Sequence, residues 1–370
     1  MRVLIAGGGT GGHINPAIAI AGEIKKNEPD SVILFAGTPK GMESVLVPKA
    51  NFDFTTIRVA GFQRQLTLYN IFRNIKAVIY LFTSQFRART IIKKFRPDIV
   101  IGTGGYVSGP IVKAAQNMGI KTAIHEQNAF PGVTTKMLSS GADAVMLAFA
   151  EAEKFLPKNS KVVVTGNPIR EGIVLKTRKE GKEAFGFDDR TTVLSFGGSL
   201  GALTINRLSS ELLRYNTDGK WNYIHATGKY GTELFPKLLE EKGIKDLPEN
   251  VKILEYIDNM DAALAASDIV ISRAGAITLS ELAARGVASV LIPSPNVAEN
   301  HQYKNALAVK EKGAAEVFED KNLDIAAVAK EIADIINDKE KIETLRKNAS
   351  KTAIIDAAEI IYKVIKEIMQ

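Results

Sequence analysis

The sequence predicts an α/β protein made of two doubly wound domains. Three observations carry this. Short apolar runs alternate with helix-patterned segments, which implies parallel strands with helices on both faces. The alternation restarts after Pro168. The chain has 370 residues, which is two or more domains at roughly 150 residues each.

In the first half, residues 3–6 are a short apolar run and 16–26 a helix, with Ile18, Ala21 and Ile24 spaced for one face. Residues 31–36 read as a second strand, 68–95 as a basic amphipathic region, and 99–101 as a strand followed by a glycine turn and a helix over 110–118. Residues 121–124 and 144–147 complete the set. In the second half, strands are expected at 191–196, 221–226, 251–254, 269–272 and 289–292, with helices at 278–285 and 302–312. The polar run 176–182 reads as a solvated connection. Domains are therefore placed at 1–165 and 166–350, with a final helical segment at 351–370 and a cleft between the domains.

Composition narrows the chemistry. Cysteine is absent, which removes disulfides, thiolate nucleophiles and thiolate metal sites. No apolar stretch reaches the roughly 18 residues of a membrane-spanning helix. Met1 leads directly into a strand-like segment, so no signal peptide is expected. The net charge is +7, and it is uneven: residues 1–165 hold 20 Lys and Arg against 10 Asp and Glu, the remainder 28 against 31. Between Asp53 and Asp98 lie nine basic residues and no acid. Such a face can meet nucleic acid, anionic lipid or an anionic soluble ligand.

Three glycine turns follow apolar strands and precede helices: Gly8 to Gly12, Gly102 to Gly105 and Gly197 to Gly201. Glycine lets backbone N–H groups approach an anion, and a helix N-terminus adds a favourable dipole. None is a Walker loop, and the acid a dinucleotide site would need stands before the second strand, at Asp30, instead of at its end. His13 ends the first turn, as a proton acceptor, a phosphate contact or a helix cap. His125, Glu126, Gln127 and Asn128 follow a strand, where open α/β sheets bind ligands. The four histidines are scattered, with no pair at metal-ligand spacing. In the second half, Arg273 to Ile277 form a small-residue turn before a helix starting at Thr278. Glu281 can accept the two hydroxyls of a ribose, or close a capping box with Thr278.

Together these segments resemble the MurG family, the bacterial N-acetylglucosaminyltransferases of peptidoglycan synthesis. The matching stretches are GGTGGHINPAIA (8–19), GTGGYVSGP (102–110), HEQN (125–128), GNPIR (166–170), GGSLGA (197–202), SRAGAITLSE (272–281) and HQYKNA (301–306). The resemblance implies a GT-B fold, two Rossmann-like domains facing each other across a deep cleft, with the last helix packing back on the first domain. It implies UDP-N-acetylglucosamine as donor and lipid I, a muramyl-pentapeptide on diphosphoryl-undecaprenol, as acceptor. On the donor side it implies Ser199 at the diphosphate, backbone of Ile257 at the uracil, and Ala276, Ile277 and Thr278 near diphosphate and sugar. Glu281 would hold the ribose and Gln302 the sugar, with Thr10, Gly11, Gly12, Asn128 and Arg170 also reaching the donor. His301 stands where the family has a first glutamine. On the acceptor side it implies Gly11, Gly12, Gly104 and Gly105 near the diphosphate, with His13, Tyr106, Glu126, Asn128 and Arg170 around it.

An α-linked donor and a β-1,4-linked product require inversion in one displacement. The muramyl C4 hydroxyl attacks, His13 is the first expectation for its base and Glu126 the second, and backbone N–H groups near Ser199 and Thr278 stabilise the leaving diphosphate. No Asp-x-Asp pair stands at a strand end, so neither a bridging metal nor another cofactor is expected. Leu68, Phe72, Ile75, Ile79 and Phe82 make a helical stripe flanked by Arg73, Lys76, Arg87, Arg89, Lys93 and Lys94. This region either packs on the sheet or docks on an anionic membrane surface. The resemblance implies the latter, a peripheral place at the cytoplasmic face of the cell membrane, and other cell-wall synthesis and division proteins as partners. A soluble-acceptor transferase or a sugar 2-epimerase would not need that stripe. A nucleic-acid partner is not expected, because the aromatics there follow no RNA-reading motif.

Overall fold

The computed structural model describes residues 1–59 and 68–370; the side chains of 68–79, 81 and 82 lie outside the described set. The chain divides into two compact units: Met1–Ile169 with Ile355–Gln370, and Arg170–Ile354. The first runs β1 (Arg2–Gly7), α1 (Gly11–Asn27), β2 (Val32–Gly37), α2 (Glu43–Lys49), β3 (Asp53–Thr56), α3 (Leu68–Phe95), β4 (Ile99–Gly104), α4 (Gly105–Asn117), β5 (Lys121–Glu126), α5 (Val133–Leu138), β6 (Ala144–Leu147) and β7 (Val162–Val164). The second runs α6 (Gly172–Leu175), α7 (Arg178–Phe185), β8 (Thr192–Phe196), α8 (Leu203–Leu213), β9 (Asn222–Ala226), α9 (Leu234–Glu241), β10 (Val251–Leu254), α10 (Met260–Ala266), β11 (Ile269–Ser272), α11 (Ala276–Arg285), β12 (Ala288–Leu291), α12 (His301–Glu311), β13 (Ala315–Val317), α13 (Ile325–Asn337) and α14 (Lys339–Lys351). Helix α15 (Ala357–Met369) belongs to the first unit.

Each unit holds one parallel sheet. The strand orders are β3-β2-β1-β4-β5-β6-β7 and β10-β9-β8-β11-β12-β13. In the first, the chain works outward from β1 through β3, then crosses back to lay β4 beside β1. In the second, β11 returns beside β8 in the same way. These two places are the topological switch points, where loops leaving adjacent strands diverge to opposite faces and open a crevice.

The pleat explains why the strands read as continuous apolar runs. Leu4, Ala6 and Val100 face one side and pack with Ile91 and Ile92 of α3 and Ile111 of α4. Val3, Ile5 and Ile101 face the other and pack with Ile20 and Ile24 of α1 and with Ile361 and Ile365 of α15. Each such buried Val, Leu or Ile side chain contributes roughly 1.5–3 kcal/mol. Helix α15 is also tied by charge. Glu28 accepts from Tyr362 Oη at 3.1 Å and from Lys366 Nζ at 2.6 Å, and the N-terminal ammonium lies 3.7 Å away.

The polar run expected as a solvated connection is instead the start of α7. Thr177 Oγ1 accepts from the Glu180 N–H, and Glu180 Oε2 accepts from the Thr177 N–H, a closed capping box. Lys182 is buried along its stem and donates its ammonium to the carbonyls of Asp188 and Arg190. Charge density hides a helix here, with Thr177, Glu180 and Lys182 bonded to the backbone and Lys179 and Glu183 exposed.

In α3, Ala88, Ile91 and Ile92 are buried on the sheet while Phe86, Arg87 and Arg89 are exposed. The side chains of Leu68, Phe72, Arg73, Ile75, Lys76, Ile79 and Phe82 lie outside the described residues, so the apolar stripe itself does too. Among the described residues, no helix is long and apolar enough to cross a membrane.

Candidate functional site

Both switch points carry glycine turns. In the first unit, Thr10 is the N-cap of α1 in extended geometry, and the helix begins on Gly11 and Gly12. A Cβ at either glycine would have room, its nearest neighbour being 3.8 or 3.6 Å away. These two glycines therefore bare the N–H groups of a first helical turn, groups that have no partner inside the helix. Gly104 and Gly105 answer a different need. Their φ angles are +105° and +78°, and a Cβ would stand 2.6 Å from Nδ1 of His13 and 2.1 Å from the Gly8 carbonyl oxygen respectively. The second turn can lie against the first only because both residues lack side chains. Tyr106 follows them, largely exposed.

His13 is oriented by a buried amide. The Gln127 Nε2 group donates to the carbonyls of Thr103 and His125, each at 3.0 Å, and to Nδ1 of His125 at 2.9 Å. That fixes the amide, so Oε1 faces His13 and accepts from its Nδ1–H at 3.0 Å. Nε2 is then the basic nitrogen of His13. The Thr103 hydroxyl holds the His13 carbonyl at 2.9 Å. His125 is used up: Nδ1 accepts from Gln127, Nε2 donates to the Gly166 carbonyl, and burial pushes its imidazole down.

Glu126 is buried, and its carboxylate serves the loop that follows β5. Oε1 accepts from the Asn128 N–H and side-chain amide, each at 3.1 Å. Oε2 accepts from the Gly132 N–H at 3.1 Å and the Thr135 hydroxyl at 2.6 Å. Four donors fill the roughly four lone-pair directions of a carboxylate. In this arrangement Glu126 shapes the loop carrying Asn128, and His13 is the group with a basic nitrogen to offer.

In the second unit, the turn after β8 and the N-terminus of α11 line a cavity of about 590 Å³, within the range of ligand pockets. Gly197, Gly198, Gly275, Thr278 and Gln302 face it. Ser199 lies in the same turn, exposed. Gln302 Oε1 accepts from the Ser294 N–H at 2.9 Å, which leaves its amide N–H₂ as the group it presents. The cavity also has a brace that sequence patterns do not reveal. Arg273 donates to the Ile292 carbonyl at 2.9 Å and pairs with Asp320, which accepts from the Thr204 hydroxyl at 2.6 Å. Asp320 is 47 residues beyond Arg273, and nothing in its local sequence marks it.

Helix α11 begins at Ala276, two residues before the expected start, with Gly275 as N-cap and no side-chain cap. Thr278 therefore lies within the first turn, and the capping-box alternative for Glu281 is absent. Glu281 instead accepts from Arg170 Nε at 3.0 Å, and Arg170 Nη1 lies 3.6 Å from Asp261. Burial pushes the Glu281 carboxyl up, and Arg170 draws it back. Ile257 is buried just beyond β10, outside the cavity lining. His301 donates Nδ1–H to the Ala298 carbonyl, at 2.8 Å.

Two doubly wound domains, each with a helix N-terminus and a glycine turn at its switch point, define the GT-B fold. The chain matches the glycosyltransferase family 28 N-terminal domain over residues 3–147 and the glycosyltransferase family 28 C-terminal domain over 192–361. It is 47% identical to a UDP-N-acetylglucosamine--N-acetylmuramyl-(pentapeptide) pyrophosphoryl-undecaprenol N-acetylglucosamine transferase of Acetivibrio thermocellus, covering 100% of this chain and 99% of that one. It is 47% identical to a protein of the same description in Thermoanaerobacter sp., with both chains covered in full. The crystal structure of Acinetobacter baumannii MurG superposes with a TM-score of 0.81 at 29% identity, over 99% of each chain. The chain belongs to the MurG family.

Proposed function

We propose that the protein transfers N-acetylglucosamine from UDP-N-acetylglucosamine to the C4 hydroxyl of the muramyl sugar of lipid I, with inversion, giving β-1,4-linked lipid II. One observation carries the reading of the site: each unit has its own helix N-terminus at a switch point with no side-chain cap, α1 opening on Gly11 and Gly12 and α11 preceded by Gly275. Donor and acceptor each bear a diphosphate, so the reaction needs two such places.

In this reading the second unit holds the donor. Glu281 accepts the ribose hydroxyls, Ile257 meets the uracil through its backbone, and the first turn of α11, with Ser199, receives the diphosphate. Negative charge grows there as UDP leaves, where helix N–H groups and dipole oppose it without reorganising. Gln302 offers its amide N–H₂ to the sugar. The first unit holds the acceptor diphosphate on the turns at Gly11, Gly12, Gly104 and Gly105. His13 takes the C4 proton on Nε2, while Gln127 holds Nδ1–H and so keeps the correct tautomer. The basic helix α3 seats the first unit on the cytoplasmic face of the membrane, where the polyprenyl chain of the acceptor resides.

Incubation of purified protein with UDP-N-acetylglucosamine and lipid I, followed by mass and linkage analysis, tests this. The expected product is lipid I extended by one β-1,4-linked N-acetylhexosamine, with UDP released in equal amount. Conversion of the nucleotide sugar to its 2-epimer without any use of lipid I would contradict it.

A further inference from the structure

Glu43, the first residue of α2, is a fully buried carboxylate that the reaction above does not use. Its Oε2 accepts from the Gly9 N–H at 3.1 Å, and its Oε1 from the Thr38 N–H at 2.8 Å and hydroxyl at 2.6 Å. Three glycines make room for it. A Cβ on Gly8 would stand 2.7 Å from the carboxyl carbon, on Gly37 2.4 Å from Cγ, and on Gly41 2.4 Å from both oxygens. Burial pushes this carboxyl up, but the Thr38 and Gly9 hydrogen bonds outweigh it and hold the group below its ordinary value. Glutamine is a poor substitute: whichever way its amide turned, an N–H₂ would face a backbone N–H.

The consequence follows from the Gly9 bond. In a trans peptide, N–H and C=O point in opposite directions. With the Gly9 N–H held by Glu43, the Gly8 carbonyl is turned the other way, and there it lies against Gly105, whose missing Cβ would approach it to 2.1 Å. One peptide, clamped on one side by Glu43 and on the other by Gly105, joins the turn after β1 to the turn after β4.

We propose that Glu43 is a positioning residue for the acceptor: it fixes the Gly8–Gly9 peptide and thereby the mutual placement of the two glycine turns that receive the acceptor diphosphate. The inference rests on the reading of the first unit as the acceptor domain. It predicts a defect in acceptor use, separate from UDP binding and from overall stability.

Steady-state kinetics with lipid I, UDP affinity and thermal melting are compared for Glu43→Gln, Glu43→Asp, Thr38→Val and Gly12→Ala. Glu43→Gln is expected to raise KM for lipid I about tenfold with UDP affinity unchanged. Glu43→Asp keeps the charge but is too short to reach Thr38 and Gly9 together, so it gives the same rise and carries the test if the glutamine variant does not fold. Thr38→Val removes the shortest hydrogen bond to the same carboxylate without touching the loop, and lowers the melting temperature without raising KM. A KM within about twofold of the parent in the foldable Glu43 variants, or an equal rise in Thr38→Val, overturns the proposal. Gly12→Ala tests the underlying reading by itself, because its methyl has room in the fold yet stands before the α1 N-terminus. If it raises KM for lipid I while the Glu43 variants do not, Glu43 alone is rejected. If Gly12→Ala leaves that KM unchanged, the acceptor reading falls, and the proposal with it.

Discussion

Arg170 Nε lies 3.0 Å from Oε1 of Glu281, so the carboxylate proposed to read the ribose is held by a cation 111 residues away in sequence. The pair opposes two tendencies. Burial favours the protonated form of Glu281, and the guanidinium favours the ionised form that accepts hydroxyl hydrogen bonds.

Removing the cation therefore has a pH signature. Arg170→Ala should raise the Glu281 pKa further, so UDP affinity should fall on acidification at a higher pH than in the parent protein. Titration of UDP binding between pH 8 and pH 5 by calorimetry checks this. Parallel curves would place Arg170 outside ribose recognition.

Glu281→Ala should remove the preference for a full ribose. The parent protein should bind UDP more tightly than 2′-deoxy-UDP by about tenfold, the size of one charge-assisted hydrogen bond, and the variant should bind both alike. Preserved discrimination in the variant would move the ribose contact elsewhere.

His13→Ala should slow single-turnover transfer by roughly 10²–10⁴, the usual contribution of a general base, with UDP affinity intact. Gln127→Leu, which leaves His13 in place but releases its tautomer, should also slow transfer, by less. A Gln127 variant at full rate would show that the amide does not hold a working base.

His225 gives the fold an acid limit. It is buried in the second unit, bonded through Nδ1 to the Ser195 hydroxyl, and burial pushes it down to about 3. Between about 6.5 and 3, the unfolded chain binds a proton that the folded one refuses, so stability falls as pH falls through that window. Urea unfolding from pH 7 to pH 4 should show this loss, with a shallower slope in His225→Gln. Equal slopes would mean that other groups set the acid limit.

The doubly wound class was legible because strands buried on both faces are written as unbroken apolar runs, such as Val3 to Ala6 and Ile269 to Ile271. The first turns of the site helices were not. Helices α1 and α4 begin on glycines five residues before Pro16 and Pro110, where the sequence suggests their starts. Glycine is a poor helix former, so propensity conceals the turns whose bare N–H groups matter most. The site's glycines, His13 and Glu281 stood out as residue types at strand ends. Gln127 stood out only as one of four polar residues after β5, not as the partner of His13, and Glu43 and Asp320 did not stand out at all, since each works through contacts with segments distant in sequence.

Membrane docking through α3 should appear in vesicle co-sedimentation. Binding to anionic vesicles should exceed binding to neutral ones and weaken with salt, at about 1 kcal/mol per basic residue in contact. Replacing Arg73, Lys76, Arg87 and Arg89 with Gln should reduce it without loss of fold. Unchanged binding would put the docking face elsewhere.

The central claim is one diphosphate site per domain, the acceptor's in the first unit and the donor's in the second. Its most direct test is UDP affinity and KM for lipid I measured side by side in Gly12→Ala and Glu281→Ala. The account predicts that Gly12→Ala raises KM for lipid I about tenfold with UDP affinity unchanged, and that Glu281→Ala weakens UDP by a similar factor with KM for lipid I unchanged. The reverse pattern, UDP affinity lost in Gly12→Ala and kept in Glu281→Ala, would contradict it.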